Sequence, residues 1–269
     1  MNESIPLFYD QIAPFYDDAM EKGFISRLIR RRFQEHIAEQ FPAGSSVLDL
    51  GCGAGSDAIF LAAKGVQVHG IDISRGMVEV AREKAKDAGL AAVAHFSVGD
   101  ASQLSGIEAG CYDGAYSNFN MLNHLSDVES FAKALSEKLR PGSPVVITMM
   151  NRLCLLEVVG YLARLRFLTA ARKLCSRERT LDMGVQLFFP AAISRKLEPY
   201  FSLHAVEGFG LFVPPAQHYS GKYFHQLFET LAALERPLLR VFPFYNFCDH
   251  YILILKKNES LEISQKAPF

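Results

Sequence analysis

Three alternating glycines directly after a short apolar run constrain this chain more than any other feature. Residues 47–55 read Val-Leu-Asp-Leu-Gly-Cys-Gly-Ala-Gly, and a helix-forming stretch (56–64, SDAIFLAAK) follows. A buried strand that ends in such a loop needs residues able to turn sharply and let backbone approach a ligand without a Cβ between them. The helix amino terminus beside the loop offers unpaired amide donors. Glycines at 51, 53 and 55, with Ser56 in the sixth place, differ from the G-x-G-x-x-G spacing that serves a pyrophosphate. The tighter spacing, preceded by Asp49, suits a ligand without phosphates.

The rest of the chain supplies a matching frame. Short apolar runs at 46–50, 66–71, 92–98, 112–117 and 145–150 alternate with helical stretches at 56–64, 75–88 and 126–139. Strand and helix in strict alternation predict a doubly wound α/β domain, a parallel sheet with helices on both faces. Candidate caps are Ser56 and Ser74, and Ser126 or Asp127 for the third helix. The first forty residues read as amphipathic helix, with Phe8, Ile12, Phe15, Ile25, Leu28, Ile29 and Phe33 among polar neighbours, until Pro42 and Gly44 break the pattern. The rhythm is interrupted at 152–190, where a helical run over 152–175 mixes Leu and Val with Arg164, Arg166, Arg172 and Lys173, and Arg177 and Arg179 follow. A helix near 191–200 and a strand-like 202–213 come next, then a second, aromatic and proline-punctuated interruption at 214–247. Tyr251 to Lys256 forms the last strand. The expectation is one domain over 1–269 whose two insertions form a cap.

Acidic residues stand in register at successive strand ends. Asp72 ends the second apolar run, where a carboxylate accepts the ribose hydroxyls of a nucleoside, with capping of the next helix as the structural alternative. Asp100 ends the third in Val98-Gly-Asp-Ala101, where it accepts from an exocyclic adenine amine or serves as a turn residue. Ligands of open α/β sheets bind at these carboxyl ends.

Charge and cysteine content narrow the classes further. Lysine plus arginine (28) nearly balances aspartate plus glutamate (29), so no global field gathers a polyanion, and nucleic acid is disfavoured as partner. Five cysteines without repeating spacing make neither a disulfide framework nor a zinc site, and read as reduced thiols of a cytoplasmic protein. No signal peptide is evident, and the most apolar stretch (153–163) is too short and too charged to span a bilayer.

The segments VLDLGCGAG, GIDIS, VGDA and YDGAYSNFNMLNHL resemble the successive motifs of class I S-adenosylmethionine-dependent methyltransferases, over roughly 45–150, and YILILKK resembles that family's last strand. The resemblance implies a Rossmann-like seven-stranded sheet, mostly parallel with an antiparallel last strand, and S-adenosylmethionine as cofactor. It implies that Asp49 and the backbone of Gly51, Cys52, Gly53 and Gly55 hold the methionine end. Asp72 would take the ribose, Ile73 and Met77 would flank the adenine, and Asp100 and Ala101 would meet its amine and ring. Asn118 and Phe119 would sit near the sulfonium. The amino-terminal YDQIAPFYDD resembles a helix that many members fold over the cofactor, which brings Tyr9 and Tyr16 close.

Methyl transfer from a sulfonium is an in-line displacement in which the protein aligns the partners and removes a proton where the acceptor requires it. His124, just beyond the fourth strand, is the candidate base, with packing of the next helix as its structural alternative. Tyr16 is the second candidate. His218, His225 and His250 read as surface or structural residues. Acceptor specificity is expected in the insertions. There Phe188, Phe189, Phe209, Phe212, Tyr219, Tyr223 and Phe224 line an apolar pocket or pack the cap, and the basic residues face an anionic substrate, a membrane surface or solvent. The segment Ser117-Asn-Phe-Asn120 lacks the Asn/Asp-Pro-Pro-aromatic pattern associated with methylation of the amino groups of nucleic-acid bases. A small-molecule acceptor leads, with a lipophilic one the working hypothesis and a non-catalytic cofactor-binding sensor or scaffold the alternative.

Overall fold

The computed structural model describes residues 4–119, 121–175, 179–180, 184–215 and 224–259. Two helices, α1 (Ser4–Lys22) and α2 (Phe24–Gln40), meet at Gly23 and precede the first strand. Strands β1 (Ser46–Leu50), β2 (Gln67–Asp72), β3 (Ala94–Val98), β4 (Gly114–Ser117) and β5 (Pro144–Met150) are mutually parallel. They alternate with α3 (Ser56–Ala62), α4 (Arg75–Asp87) and α5 (Val128–Lys138). After β5 come α6 (Leu155–Ala163), α7 (Phe167–Cys175), α8 (Pro190–Leu197), β6 (Phe201–Phe209), α9 (His225–Glu235) and β7 (His250–Lys257). The sheet runs β3-β2-β1-β4-β5-β7-β6, seven strands in all, with β7 antiparallel to both neighbours.

Period-two alternation sorts the side chains between two cores. Leu48, Leu50, Val145, Ile147, Leu253 and Leu255 face α5 and α8, where they meet Phe131, Leu135, Ile193 and Leu197. Val47, Val68, Val146, Ile252 and Ile254 face the other way, against Phe33 and Ile37 of α2, Leu61 of α3 and Val78 of α4. Both faces of the central strands are therefore covered, which is why they read as continuous apolar runs.

Local chemistry refines the boundaries. Asp127 caps α5, its carboxylate accepting from Ser130 N at 3.0 Å, and Ser74 caps α4, accepting from Met77 N at 3.1 Å. The cap expected at Ser56 is taken by Gly55, whose φ of 76° places it in the left-handed region; Ser56 is the first helical residue. The helical run over 152–175 is two helices, broken at Leu165, which adopts a φ of 58°. The strand expected over 202–213 stops at Phe209 because Gly210 turns the chain with a φ of 83°. In α1 the apolar residues do not all face one way. Tyr9, Ile12, Ala13 and Tyr16, spaced as one helical stripe, pack on Ala54 and Met77, whereas Phe15 is exposed.

A buried carboxylate ties α2 to the sheet. Glu207 on β6 pairs with Arg32 Nε at 2.6 Å and His36 Nε2 at 3.2 Å, both from α2, and with Arg240. Burial raises its proton affinity, but the His36 and Arg240 hydrogen bonds and the Arg32 charge prevail and hold its pKa at about 2. A carboxyl depressed on folding contributes stability that is present above its unfolded value and lost as pH falls through the folded one. The acid limb of a melting-temperature profile should therefore fall between about pH 4.5 and 2, and Glu207→Gln should flatten it. At neutral pH, Glu207→Ala should cost roughly 3 kcal/mol, as loss of the carboxylate strands the largely buried Arg32 guanidinium. An unchanged acid limb in Glu207→Gln would show that other carboxylates govern acid unfolding.

Candidate functional site

A single pocket gathers the carboxyl ends of β1, β2 and β4 beneath α1. Its walls are Tyr9, Tyr16, Asp17, Arg30, Asp49, Gly51, Cys52, Gly53, Ala54, Ser56, Asp57, Asp72, Ile73, Met77, Ala101, Asn118, Phe119, Met121 and His124. Of the residues singled out from sequence, Gly55 and Asp100 are not in that wall.

The glycine loop is shaped by its neighbours. Gly51 N and Cys52 N donate to Ile71 O at 2.8 and 3.1 Å, which folds the loop back onto β2. Gly53 N then donates to Asp72 Oδ2 at 2.8 Å, and Ser74 N to Asp72 Oδ1 at 2.9 Å. Asp72 thus holds the glycine loop and the start of α4 together while presenting its carboxylate to the pocket. A Cβ at Gly51 would press on Met121 at 3.0 Å. At Gly55 a Cβ would meet Ala81 at 2.9 Å and Phe96 at 3.0 Å, so Gly55 serves the close approach of α3 to α4 and β3. Asp100 folds onto its own turn, accepting from Ser102 N at 2.8 Å.

Helix α1 is clasped over the pocket at both ends. Asp10 accepts from Ser74 Oγ at 2.6 Å and Gly76 N at 2.9 Å, bonds that lower its pKa. Seven residues on, two turns further, Asp17 accepts from Ser56 Oγ at 2.9 Å and pairs with Lys84. These contacts set Tyr9 and Tyr16 into the wall. Burial, followed by neighbouring charge, raises the pKa of both phenols, which keeps them protonated at neutral pH.

The pocket is rich in buried acid. Asp49, Asp57 and Asp72 all have raised pKa values, with burial the first cause. Asp57 is braced by Gln34 Nε2 at 2.9 Å and Asn118 Nδ2 at 2.8 Å, and the Arg30 charge opposes its shift. Asp49 Oδ2 is buried without a hydrogen-bond partner; the Tyr116 hydroxyl lies beside the carboxylate but closes no bond of ordinary geometry. An unpaired buried carboxylate oxygen is costly, and a cationic donor from a ligand would satisfy it. Arg30 lies over the Phe119 ring at 5.0 Å, and Phe119 holds a φ of 52°, a strained conformation at the pocket wall. His124 ends a short 3₁₀ turn, Met121–His124, after β4.

Sequence reasoning missed Asp17, Arg30, Ser56, Asp57 and Met121 as pocket residues. Asp57 carried a signal, an acid in the first turn of the helix after the glycine loop. Arg30 carried none, since a basic residue on an amphipathic helix reads as solvated. The aromatic residues offered for an acceptor pocket are placed elsewhere. Phe209 is buried against α2, Phe188 packs on the core and accepts from Tyr251 Oη at 3.2 Å, and Phe189 stacks with Arg152. Phe212 and Phe224 are exposed. Asn120, Arg177, His218, Tyr219 and Tyr223 lie outside the described residues.

Residues 47–142 match a protein-family profile described as a methyltransferase domain. Over that stretch the chain is similar to class I methyltransferases. The chain is 35% identical over 129 residues to a ubiquinone biosynthesis O-methyltransferase of Xanthomonas axonopodis pv. citri, over 46% of this chain and 53% of that protein. Over 157 residues it is 33% identical to a 2-phytyl-1,4-naphtoquinone methyltransferase of Synechococcus elongatus, 56% of this chain and 65% of that protein. The chain thus spans about half the length of several curated relatives it matches. In fold, the crystal structure of the cyclase SpnF superposes with a TM-score of 0.65 at 16% identity, over 95% of this chain and 96% of that one. The cosubstrate of such a methyltransferase domain is S-adenosylmethionine, and the orphaned Asp49 oxygen, the Asp72 carboxylate and the open glycine loop fit its ammonium, ribose hydroxyls and backbone-hugging chain.

Two outcomes follow for ligand binding. Asp72→Ala should weaken S-adenosylhomocysteine binding by about 1–3 kcal/mol, the scale for losing a buried polar partner; equal calorimetric affinity would remove the ribose assignment. Because the pocket acids have raised pKa values, binding of a cationic amine favours their ionised forms, so binding should release protons and weaken as pH falls. Calorimetric enthalpies that do not vary with buffer ionisation enthalpy would refute this.

Proposed function

We propose that the protein moves the methyl group of S-adenosylmethionine to a small, lipophilic acceptor. The observation that carries this reading is the joining of the buried-acid cofactor pocket to Phe119, Met121 and His124 in one wall, an apolar lip with a titratable group at the end of β4. When bound, S-adenosylmethionine supplies a methyl group activated by a sulfonium.

The chain's own residues supply alignment. Asp49, the glycine-loop backbone and Asp72 would hold the donor, Ile73, Met77 and Ala101 would flank its ring, and Tyr9 and Tyr16 of α1 would exclude water. Asn118, locked to Asp57 and accepting from Phe119 N at 2.8 Å through its own side-chain oxygen, rigidifies the segment after β4, which would lie beside the transferred methyl. His124 takes the proton that a hydroxyl or ammonium acceptor must lose for its oxygen or nitrogen lone pair to attack; Tyr16, kept protonated by burial, is the weaker candidate base because it would first have to lose its own proton. The segments 152–190 and 214–247 cap the acceptor side, with 1–40 as the helical cover of the cofactor.

The acceptor class is supported by two relatives named for quinone methylation, by the near-neutral charge that leaves nucleic acid without an electrostatic draw, and by the apolar lip. No helix among the described residues is long and apolar enough to cross a membrane. Calorimetric titration with S-adenosylhomocysteine, beside NAD, tests the cofactor; labelled S-adenosylmethionine with a panel of alkylated hydroxyquinones and phenols tests transfer. Binding of the homocysteine form without NAD, together with label in an organic-extractable product, is the expected result. Cofactor binding with no transfer to any acceptor would favour a sensor or scaffold. His124→Ala should lower kcat roughly 100-fold while leaving S-adenosylhomocysteine affinity intact; full activity would make His124 a structural residue.

A further inference from the structure

The arm between β5 and α8 exposes apolar surface that the domain does not use. Every residue from 162 to 168, Leu-Ala-Arg-Leu-Arg-Phe-Leu, is exposed. Leu165 is 75% accessible, Phe167 59% and Leu168 77%, at the turn where α6 gives way to α7. Leu155, Val159 and Leu162 on α6 and Leu174 on α7 extend the apolar surface, while Val158 and Ala170 supply the buried anchoring contacts. Single exposed leucines are ordinary, but this many in one helical hairpin mark an interaction surface. Leu165 also holds a φ of 58°, a conformation that costs a branched side chain energy, and it does so at the turn where it is largely exposed to solvent.

Charge decides what covers the surface. Segment 152–175 carries Arg152, Arg164, Arg166, Arg172 and Lys173 against the single acid Glu157, a net of +4 in a chain whose formal net charge is −1, so the remainder carries −5. Arg164 and Arg166 sit between the exposed apolar residues, and both are themselves exposed. Alternating arginine and large apolar side chains at a protruding turn complement a surface that is anionic at its edge and apolar just beneath.

Geometry ties the arm to the site. The arm leaves the sheet at Met150, the carboxyl end of β5, and near its other end the Gln186 carbonyl accepts from Asn123 Nδ2 at 2.6 Å. Asn123 Oδ1 also accepts from Met150 N at 3.0 Å, and Asn123 belongs to the turn that carries Met121 and His124 into the pocket. Both ends of the arm are thus pinned by one residue at the acceptor side of the pocket.

We propose that the 162–168 turn docks the protein on an anionic lipid bilayer, with Leu165, Phe167 and Leu168 entering the acyl boundary and Arg164 and Arg166 at the headgroups. Docking of this kind presents the acceptor side of the pocket to a membrane-dissolved molecule. The binding claim stands on the arm alone and does not depend on the methyl-transfer reading.

The test is co-sedimentation of the full chain with vesicles of phosphatidylcholine and phosphatidylglycerol in equal parts, and with phosphatidylcholine alone. Binding to the mixed vesicles should be roughly tenfold or more tighter than to the neutral ones, and should weaken with added salt. The variant L165S/F167S/L168S should lose binding by a similar factor at an unchanged melting temperature, since these side chains contribute nothing to the core. The variant R164E/R166E should abolish the preference for anionic vesicles while S-adenosylhomocysteine affinity stays the same. Equal binding of wild type and L165S/F167S/L168S overturns the proposal. So does a stable dimer of the wild type that fails to bind vesicles and that L165S/F167S/L168S converts to monomer, an outcome that assigns the surface to a second copy.

Discussion

The hydrogen bonds that Asp72 accepts from Gly53 and Ser74 organise the site, and much else follows from them. They join the end of β2 to the loop after β1 and to the first turn of α4, so three elements converge on one carboxylate. Parallel neighbouring strands make this possible, because their carboxyl ends lie side by side in register, Leu50 opposite Ile71. The glycines then turn the loop without side chains in the ligand's way. Burial raises the cost of keeping Asp72 ionised, and the same burial strengthens any hydrogen bond it makes to a ligand.

The amino-terminal helix adds a second layer of constraint. Asp10 and Asp17, two turns apart on α1, engage the capping ends of α4 and α3. These are polar, partly solvated contacts at helix amino termini, where carboxylates are favoured by the local field. Together with the apolar stripe that packs on Ala54 and Met77, they hold Tyr9 and Tyr16 against the pocket. Helix α2 is held differently, through the buried Glu207 network and its Phe33–Ile37 face, and so brings Arg30 to the pocket on a rigid support.

Legibility in the sequence followed the physics of each feature. Val47 and Leu48 on opposite faces, the capping residues Ser74 and Asp127, and the glycine turn are local, and they could be read locally. Asp49, Asp72, Asn118 and Phe119 could be placed because each lies within two residues of a strand's carboxyl end, and strand ends of a parallel sheet share one edge. Arg30 and Asp57 could not, because their roles arise from a meeting of α2, α3 and the segment after β4. The phenylalanines of the insertions misled for the same reason. Composition marks them as apolar, but only packing distinguishes Phe209 in the core from Phe212 in solvent.

By itself the sequence determined the doubly wound class, the position of the cofactor loop and the acids at the strand ends, because periodicity and strand-terminal spacing act over a few residues. The tertiary structure alone decided which acids remain unpaired, how α1 is clasped over them, and that the arm after β5 breaks at Leu165 into an exposed turn. Those outcomes depend on which surfaces compete for burial. That competition is settled between elements far apart in the chain, where no local pattern carries the information.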